Sequence, residues 1–148
     1  MALNTAQADK DVRGAIAALA ERGARGPVGV VGFCMGGQLA LLSATSNGDR
    51  VGAAVDFYGI HPNVHPDFKK LSCPVLGLFG EEDSSVNPEA VHRLAGEIRE
   101  AGGRIDTAIY QGAGHAFFND TRPEAYKADA AADAWKKTLA FLSENLAG

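Results

Sequence analysis

The sequence has few of the features that mark secreted, membrane or disulfide-rich proteins. It contains only 2 cysteines in 148 residues, Cys34 in a glycine-rich turn and Cys73 before a proline, which does not indicate a disulfide framework. The longest apolar runs, such as 39–42 and 75–79, are far shorter than the ~20 residues of a membrane span. The first residues lack the basic and apolar regions of a secretory signal. We therefore expect a cytoplasmic protein with no membrane partner.

Neither positive nor negative charge is in large excess. The net charge is −4, and the lysines and arginines are scattered along the chain, so no nucleic-acid or acidic-lipid surface is expected. A hydrophobic content of 46% is enough for an ordinary core. No linker, repeat or low-complexity segment interrupts the chain, and we expect a single domain over 1–148.

The residue pattern alternates between helical and strand-like segments. Helical spacing of apolar residues, capping residues and breakers predict helices over 4–22, 38–46, 88 to about 101, and 123 to about 146. Short apolar segments predict strands over 29–33, 53–58, 74–79 and 105–110. Such alternation is typical of an α/β fold, here a parallel sheet of about four strands with helices on both faces, in three layers.

The most informative stretch is Gly32-Phe33-Cys34-Met35-Gly36, which lies between a predicted strand and a predicted helix. A G-x-S-x-G pattern in this context forms a sharp turn that exposes the middle side chain as a nucleophile. The glycines are expected because neighbouring backbone comes close in such a turn. The following helix places its N-terminus at the thiol, which favours a thiolate in general. The alternative is a buried cysteine that packs as a small hydrophobic residue.

A thiol nucleophile needs a base, and the base needs an acid that orients it. Asp83 directly follows the third predicted strand and His115 follows the fourth, so both belong at the sheet edge where Cys34 lies. The sequence also offers Glu81 and Glu82 as acids, and His61, His65 and His92 as bases. His61 and His65 lack a convincing third ligand for zinc, and we expect no metal and no cofactor.

Four segments resemble the dienelactone hydrolase family of α/β-hydrolases, in the family's order. They are "VGVVGFCMGG", "AAVDFYG", "PVLGLFGEEDSSV" and "YQGAGHAFFND" with the helix that follows. The resemblance implies that Cys34 is the nucleophile, Asp83 the acid and His115 the base of a catalytic triad. It implies that the backbone N–H of Met35 belongs to the oxyanion hole and that Tyr58 lies near the substrate, although Tyr58 at a strand end could equally serve in packing. We also expect Phe33, beside the thiol, to contact the substrate.

The resemblance also implies a reaction. Members of the family open enol lactones such as dienelactones, and a small-molecule lactone or ester is therefore the expected substrate. Cys34 would attack the carbonyl, and the enolate leaving group would depart and later help to activate water. A thiolate suits activated esters and is a poor choice for amides. Two alternatives are a non-catalytic remnant that acts as a binding or assembly subunit, and a cysteine hydrolase of other small activated esters.

The match begins partway through the family's domain. The family's earlier strands, a second oxyanion-hole N–H, a carboxylate near the resting thiol and a substrate-binding arginine have no counterpart in this sequence. A second arginine that some members carry after the histidine is also absent, and Arg122 is only a weak substitute. Loss of one oxyanion donor typically costs on the order of 10²–10³ in rate.

The missing strands leave strand 28–33 as an expected open edge, which proteins usually protect. We therefore expect homodimerisation or another pairing through this edge, a swap of elements, or membership of a longer protein.

Overall fold

The computed structural model describes residues 3–146, which form four helices and four main strands. The helices are α1 (Thr5–Glu21), α2 (Met35–Ser46), α3 (Pro88–Glu100) and α4 (Ala128–Leu146). The strands are β1 (Val28–Phe33), β2 (Val51–Phe57), β3 (Val75–Gly80) and β4 (Ile105–Tyr110). Across 3–146, none of the helices combines the length and apolar character needed to cross a bilayer.

The four strands form one parallel sheet in the order β1-β2-β3-β4. Phe33 pairs with Phe57 at the end of β1 and β2, and Gly80 pairs with Tyr110 at the end of β3 and β4. Because the strands are parallel, the loops that follow all four of them meet at one edge of the sheet. The predicted α/β architecture is confirmed.

Helices cover both faces of the sheet and produce three layers. Gly29 on β1 faces Leu142 and Leu146 of α4, whereas Asp56 on β2 points to the opposite face, against Gly37 of α2. The short helical turn Phe68–Lys70 contacts both α2 and α3, which places these two helices on the same side. Helix α1 packs against α2. The core between these layers combines side chains of the two central strands with side chains from all four helices and from the loops.

Two predicted helix starts are wrong. Helix α2 begins at Met35, immediately after Cys34, and not at Gln38, since both glycines fit into its first turn. Helix α4 begins at Ala128 and not at Pro123. The segment before it folds into turns in which the Lys127 N–H donates to the Phe117 carbonyl (3.0 Å), so this stretch returns to the loop after β4 before the helix begins.

Strand β1 lies at the edge of the sheet, as predicted. Two of its large side chains, Val31 and Phe33, are exposed, and so are Trp135 and Leu139 on α4. On the other face, an apolar groove of about 560 Å³ runs between α1, β1 and α2. The edge therefore combines unpaired strand backbone with apolar side chains on both sides, which is the arrangement that invites pairing.

Pairing through this edge stays a prediction and is open to measurement. In sedimentation at high concentration we expect the purified chain to form a species larger than its 15.4 kDa mass. Val31→Lys places a charge on the exposed edge and should shift the population toward monomer, since edge lysines block strand pairing. A wild-type chain that stays monomeric and soluble would contradict the prediction.

Candidate active site

The loops that follow the four strands bring four of the predicted site residues together. Cys34 directly follows β1, and Tyr58 directly follows β2. Asp83 lies three residues after β3, and His115 lies five residues after β4. The topology thus places a thiol, a phenol, a carboxylate and an imidazole at one edge of the sheet, as the sequence pattern indicates.

Cys34 occupies a sharp, unusual turn between β1 and α2. Its φ of 57° lies in the left-handed region, which costs energy for any residue other than glycine. The turn is fixed by a hydrogen bond from the Cys34 N–H to the Phe57 carbonyl (2.9 Å). A methyl group at Gly32 would overlap the Gly36 carbonyl, so glycine is required there. Gly36 faces open space, and the expected steric need for glycine at that position is wrong.

The thiol, imidazole and carboxylate form a continuous chain of contacts. The Cys34 Sγ lies 3.1 Å from the His115 Nε2, and the His115 Nδ1 lies 2.7 Å from the Asp83 Oδ2. The Asp83 side chain is 0% exposed, whereas that of His115 is 31% exposed. The buried carboxylate thus orients one ring nitrogen while the other faces an exposed thiol. These are the distances that a nucleophile, its base and an orienting acid require.

Asp83 is held in place by its own loop. Its Oδ1 accepts hydrogen bonds from the backbone N–H groups of Ser85 (2.8 Å) and Val86 (2.9 Å), which leaves Oδ2 for the histidine. Glu81 and Glu82, the alternative candidates for the orienting acid, are exposed on the same loop.

The alternative bases lie elsewhere. In the loop after β2, the His61 Nδ1 accepts from the Asn63 N–H (3.2 Å), and His65 is exposed. His92 is exposed on α3. No group of three or more potential metal ligands occurs within residues 3–146.

An aromatic cluster surrounds the thiol and the imidazole. Tyr58 leaves β2 with a φ of 45°, and its ring centre lies 5.2 Å from that of His115. Burial, together with the nearby Cys34, raises the pKa of Tyr58 to about 12, so its phenol stays neutral at any ordinary pH. Phe33 is 41% exposed and stacks between Phe57 (4.6 Å) and Phe118 (5.5 Å).

The structure places two further residues near the site, Phe118 and Asp56. The sequence signal for Phe118 is its position three residues after the histidine, on the same loop. Arg122, the weak substitute for a substrate-binding arginine, pairs with Glu124 (3.3 Å) on the exposed surface, so its charge already has a partner.

The two cysteines should differ strongly in reactivity toward iodoacetamide at pH 8. Cys34 is exposed, whereas Cys73 is only 5% exposed and burial raises its pKa to about 11. We expect Cys34 to be alkylated on the order of 100-fold faster or more in the native protein, because the reactive species is an accessible thiolate. Peptide mapping checks this, and unfolding in urea should equalise the two rates. Equal rates in the native state would mean that the turn holds an inert thiol.

The parallel sheet and the sharp strand–turn–helix at Cys34 together define an α/β-hydrolase fold. The chain belongs to the dienelactone hydrolase family, whose model matches residues 1–146.

Named relatives agree with this assignment. The chain is 35% identical over 119 residues to "Protein usf" of Aquifex pyrophilus, which covers 80% of the chain and 52% of that protein. It is 34% identical over 124 residues to the "Putative carboxymethylenebutenolidase" of Escherichia coli, which covers 78% of the chain and 45% of that protein. The chain thus spans about half the length of the curated relatives it matches.

Two solved structures have a similar fold. A Klebsiella pneumoniae protein described as a "Putative Dienelactone Hydrolase" is 30% identical with a TM-score of 0.85, and the match covers 94% of this chain and 61% of that one. The dienelactone hydrolase-like phosphotriesterase P91, from metagenomic libraries, is 24% identical with a TM-score of 0.83 over 96% of this chain and 63% of that one. The second likeness shows the fold alone.

Proposed function

We propose that the chain carries the catalytic residues of a thiol hydrolase that cleaves activated esters or enol lactones of the dienelactone type. The observation that supports this most is the chain of contacts from the Cys34 Sγ through His115 to the Asp83 Oδ2, at 3.1 and 2.7 Å. A non-catalytic binding or assembly subunit does not require these three side chains to lie within hydrogen-bond distance of one another. The non-catalytic alternative is therefore not favoured.

In the proposed reaction the Cys34 Sγ attacks the carbonyl carbon of the ester, and the thiol proton passes to the His115 Nε2. The C–O bond breaks, the leaving oxygen takes the proton that His115 holds, and an acyl-thioenzyme remains with His115 neutral again. His115 then draws a proton from water, whose oxygen attacks the thioester and releases the acid and the free thiol. Asp83 holds the imidazole in orientation throughout and stabilises its charged form.

Oxyanion stabilisation is proposed for the backbone N–H of Met35. Met35 is the first residue of α2, and the first N–H groups of a helix have no partner within it. They point toward the helix N-terminus, where the dipole favours negative charge. A carbonyl oxygen that becomes negative beside Cys34 would meet these groups.

Tyr58 and Phe33 are proposed as the walls of the substrate site. Tyr58 is neutral and packs beside the imidazole, while Phe33 exposes part of its ring next to the nucleophile. Tyr58 is only 3% exposed, so Phe33 offers the larger apolar surface to a small, flat substrate. We further propose a cytoplasmic location, which is consistent with a free thiol at the site.

The substrate class can be tested by comparing a dienelactone with p-nitrophenyl acetate and a neutral alkyl ester. We expect hydrolysis of both activated substrates and little of the alkyl ester, because a thiolate needs a good leaving group. A higher kcat/KM for the dienelactone supports a lactone hydrolase. An equal or higher kcat/KM for p-nitrophenyl acetate favours a general hydrolase of activated esters. No turnover of any of the three by folded protein would contradict the proposal.

A further inference from the structure

Asp56 is a buried acid that the proposed reaction does not use. It lies on β2 with a side chain that is fully buried, facing α2. Its Oδ1 accepts a hydrogen bond from the Gly59 N–H (2.8 Å). Its Oδ2 is buried and has no hydrogen-bond partner among the residues that the structure describes. A buried polar group with an unpaired oxygen in an apolar strand lowers the stability of the fold unless other contacts compensate.

The carboxyl lies where two backbone turns meet. A methyl group at Gly37, in the first turn of α2, would overlap the Asp56 Oδ1. A methyl group at Gly59, in the turn after β2, would lie 2.7 Å from the same oxygen and would overlap the Cys34 carbonyl. The Asp56 side chain thus contacts the start of the nucleophile helix on one side and the turn after β2 on the other.

Both of these turns carry residues of the proposed site. Cys34 is the residue that precedes α2, and its N–H donates to the carbonyl of Phe57, next to Asp56. Tyr58 lies between Asp56 and Gly59 and has a φ of 45°. The hydrogen bond from Gly59 to Asp56 closes this turn around Tyr58, whose ring packs against His115.

We propose that Asp56 is a positioning residue that fixes the nucleophile turn at Cys34 and the Tyr58 turn relative to one another. It acts through an acceptor oxygen at Oδ1 and not through contact with the substrate. The inference rests on the proposed role of Cys34. The acceptor role at Oδ1 requires no negative charge on the carboxyl, whose pKa burial raises well above its usual range.

The test compares Asp56→Asn, which keeps an acceptor oxygen at similar size, with Asp56→Ala and Asp56→Val, which remove it. Val55→Ala is the matched control, because Val55 is the neighbouring buried residue on β2 and points to the other face. Two quantities are measured on each folded variant: the alkylation rate of Cys34 by iodoacetamide, and kcat and KM for p-nitrophenyl acetate.

We expect Asp56→Asn and Val55→Ala to keep near wild-type values of both. Removal of the acceptor should lower kcat by about 10- to 100-fold with little change in KM, as misplacement of a reacting group by about 1 Å does. The Cys34 alkylation rate should change as well. The proposal is wrong if Asp56→Ala or Asp56→Val folds and retains the wild-type kcat and alkylation rate. It is also wrong if folded Asp56→Asn loses them.

The two proposals can fail separately. Alkylation of Cys34 does not need ester turnover, so it reports the position of the thiol even if the wild-type chain hydrolyses nothing. A wild-type chain without activity but with an Asp56-dependent alkylation rate would overturn the proposed function and support the positioning role.

Discussion

Replacement of Cys34 with alanine is expected to lower kcat/KM for p-nitrophenyl acetate by on the order of 10⁴-fold or more, since removal of a covalent nucleophile leaves only binding and oxyanion contacts. The thiol lies 3.1 Å from the His115 Nε2, and an alanine side chain at this position has no atom that can attack the ester. Initial rates with the purified variant check this, together with a melting curve that confirms folding.

Cys73→Ala is the matched control for this prediction. It removes the other thiol, which is buried in the core. Cys73 is far less reactive because burial raises its pKa to about 11. We expect near wild-type activity from it, at some cost in stability. If Cys34→Ala keeps its activity, or if Cys73→Ala loses activity while folded, the nucleophile has been assigned to the wrong residue.

The second large effect is expected for Asp83→Asn, with a fall in kcat of about 10³- to 10⁴-fold, as loss of the orienting carboxylate causes in serine triads. The Asp83 Oδ2 accepts from the His115 Nδ1, and in the proposed reaction the buried carboxylate stabilises the charged imidazole. An amide of the same shape can still accept from Ser85 and Val86, so the loop should keep its fold while the histidine loses its ionic partner.

Glu81→Gln and Glu82→Gln provide controls in the same loop with the same change in charge. Both residues are exposed, and we expect each variant to retain most of the wild-type kcat. A comparable loss in either of them, or wild-type activity in folded Asp83→Asn, would show that Asp83 is not the orienting acid.

Much of the architecture follows from local sequence signals. Apolar strands separated by capped helices specify a parallel sheet, and the Asn87-Pro88 start of α3 matches the structure, with the Asn87 side chain accepting from the Ala90 N–H (2.9 Å). The order of Cys34, Asp83 and His115, each after a different strand, was enough to predict that the three would meet. This works because the carboxyl ends of parallel strands share one edge.

Other features depend on tertiary contacts that no local pattern carries. Three carboxylates occupy positions 81–83, and only the fold of the loop buries Asp83 while Glu81 and Glu82 remain exposed. Pro123 resembles a helix start, yet the Phe117–Lys127 hydrogen bond holds that stretch in turns. Asp56 lies in a run that predicts a buried strand, and its role becomes visible only once Gly37 and Gly59 are placed against it.

The proposed mechanism requires a covalent acyl intermediate on Cys34, which intact-protein mass spectrometry after rapid acid quenching can detect. During turnover of p-nitrophenyl acetate, we predict a mass gain of one acetyl group that maps to the peptide containing Cys34, is removed by hydroxylamine and is absent in Cys34→Ala. Steady turnover with no adduct on that peptide, or an adduct on another residue that persists in Cys34→Ala, would contradict the account.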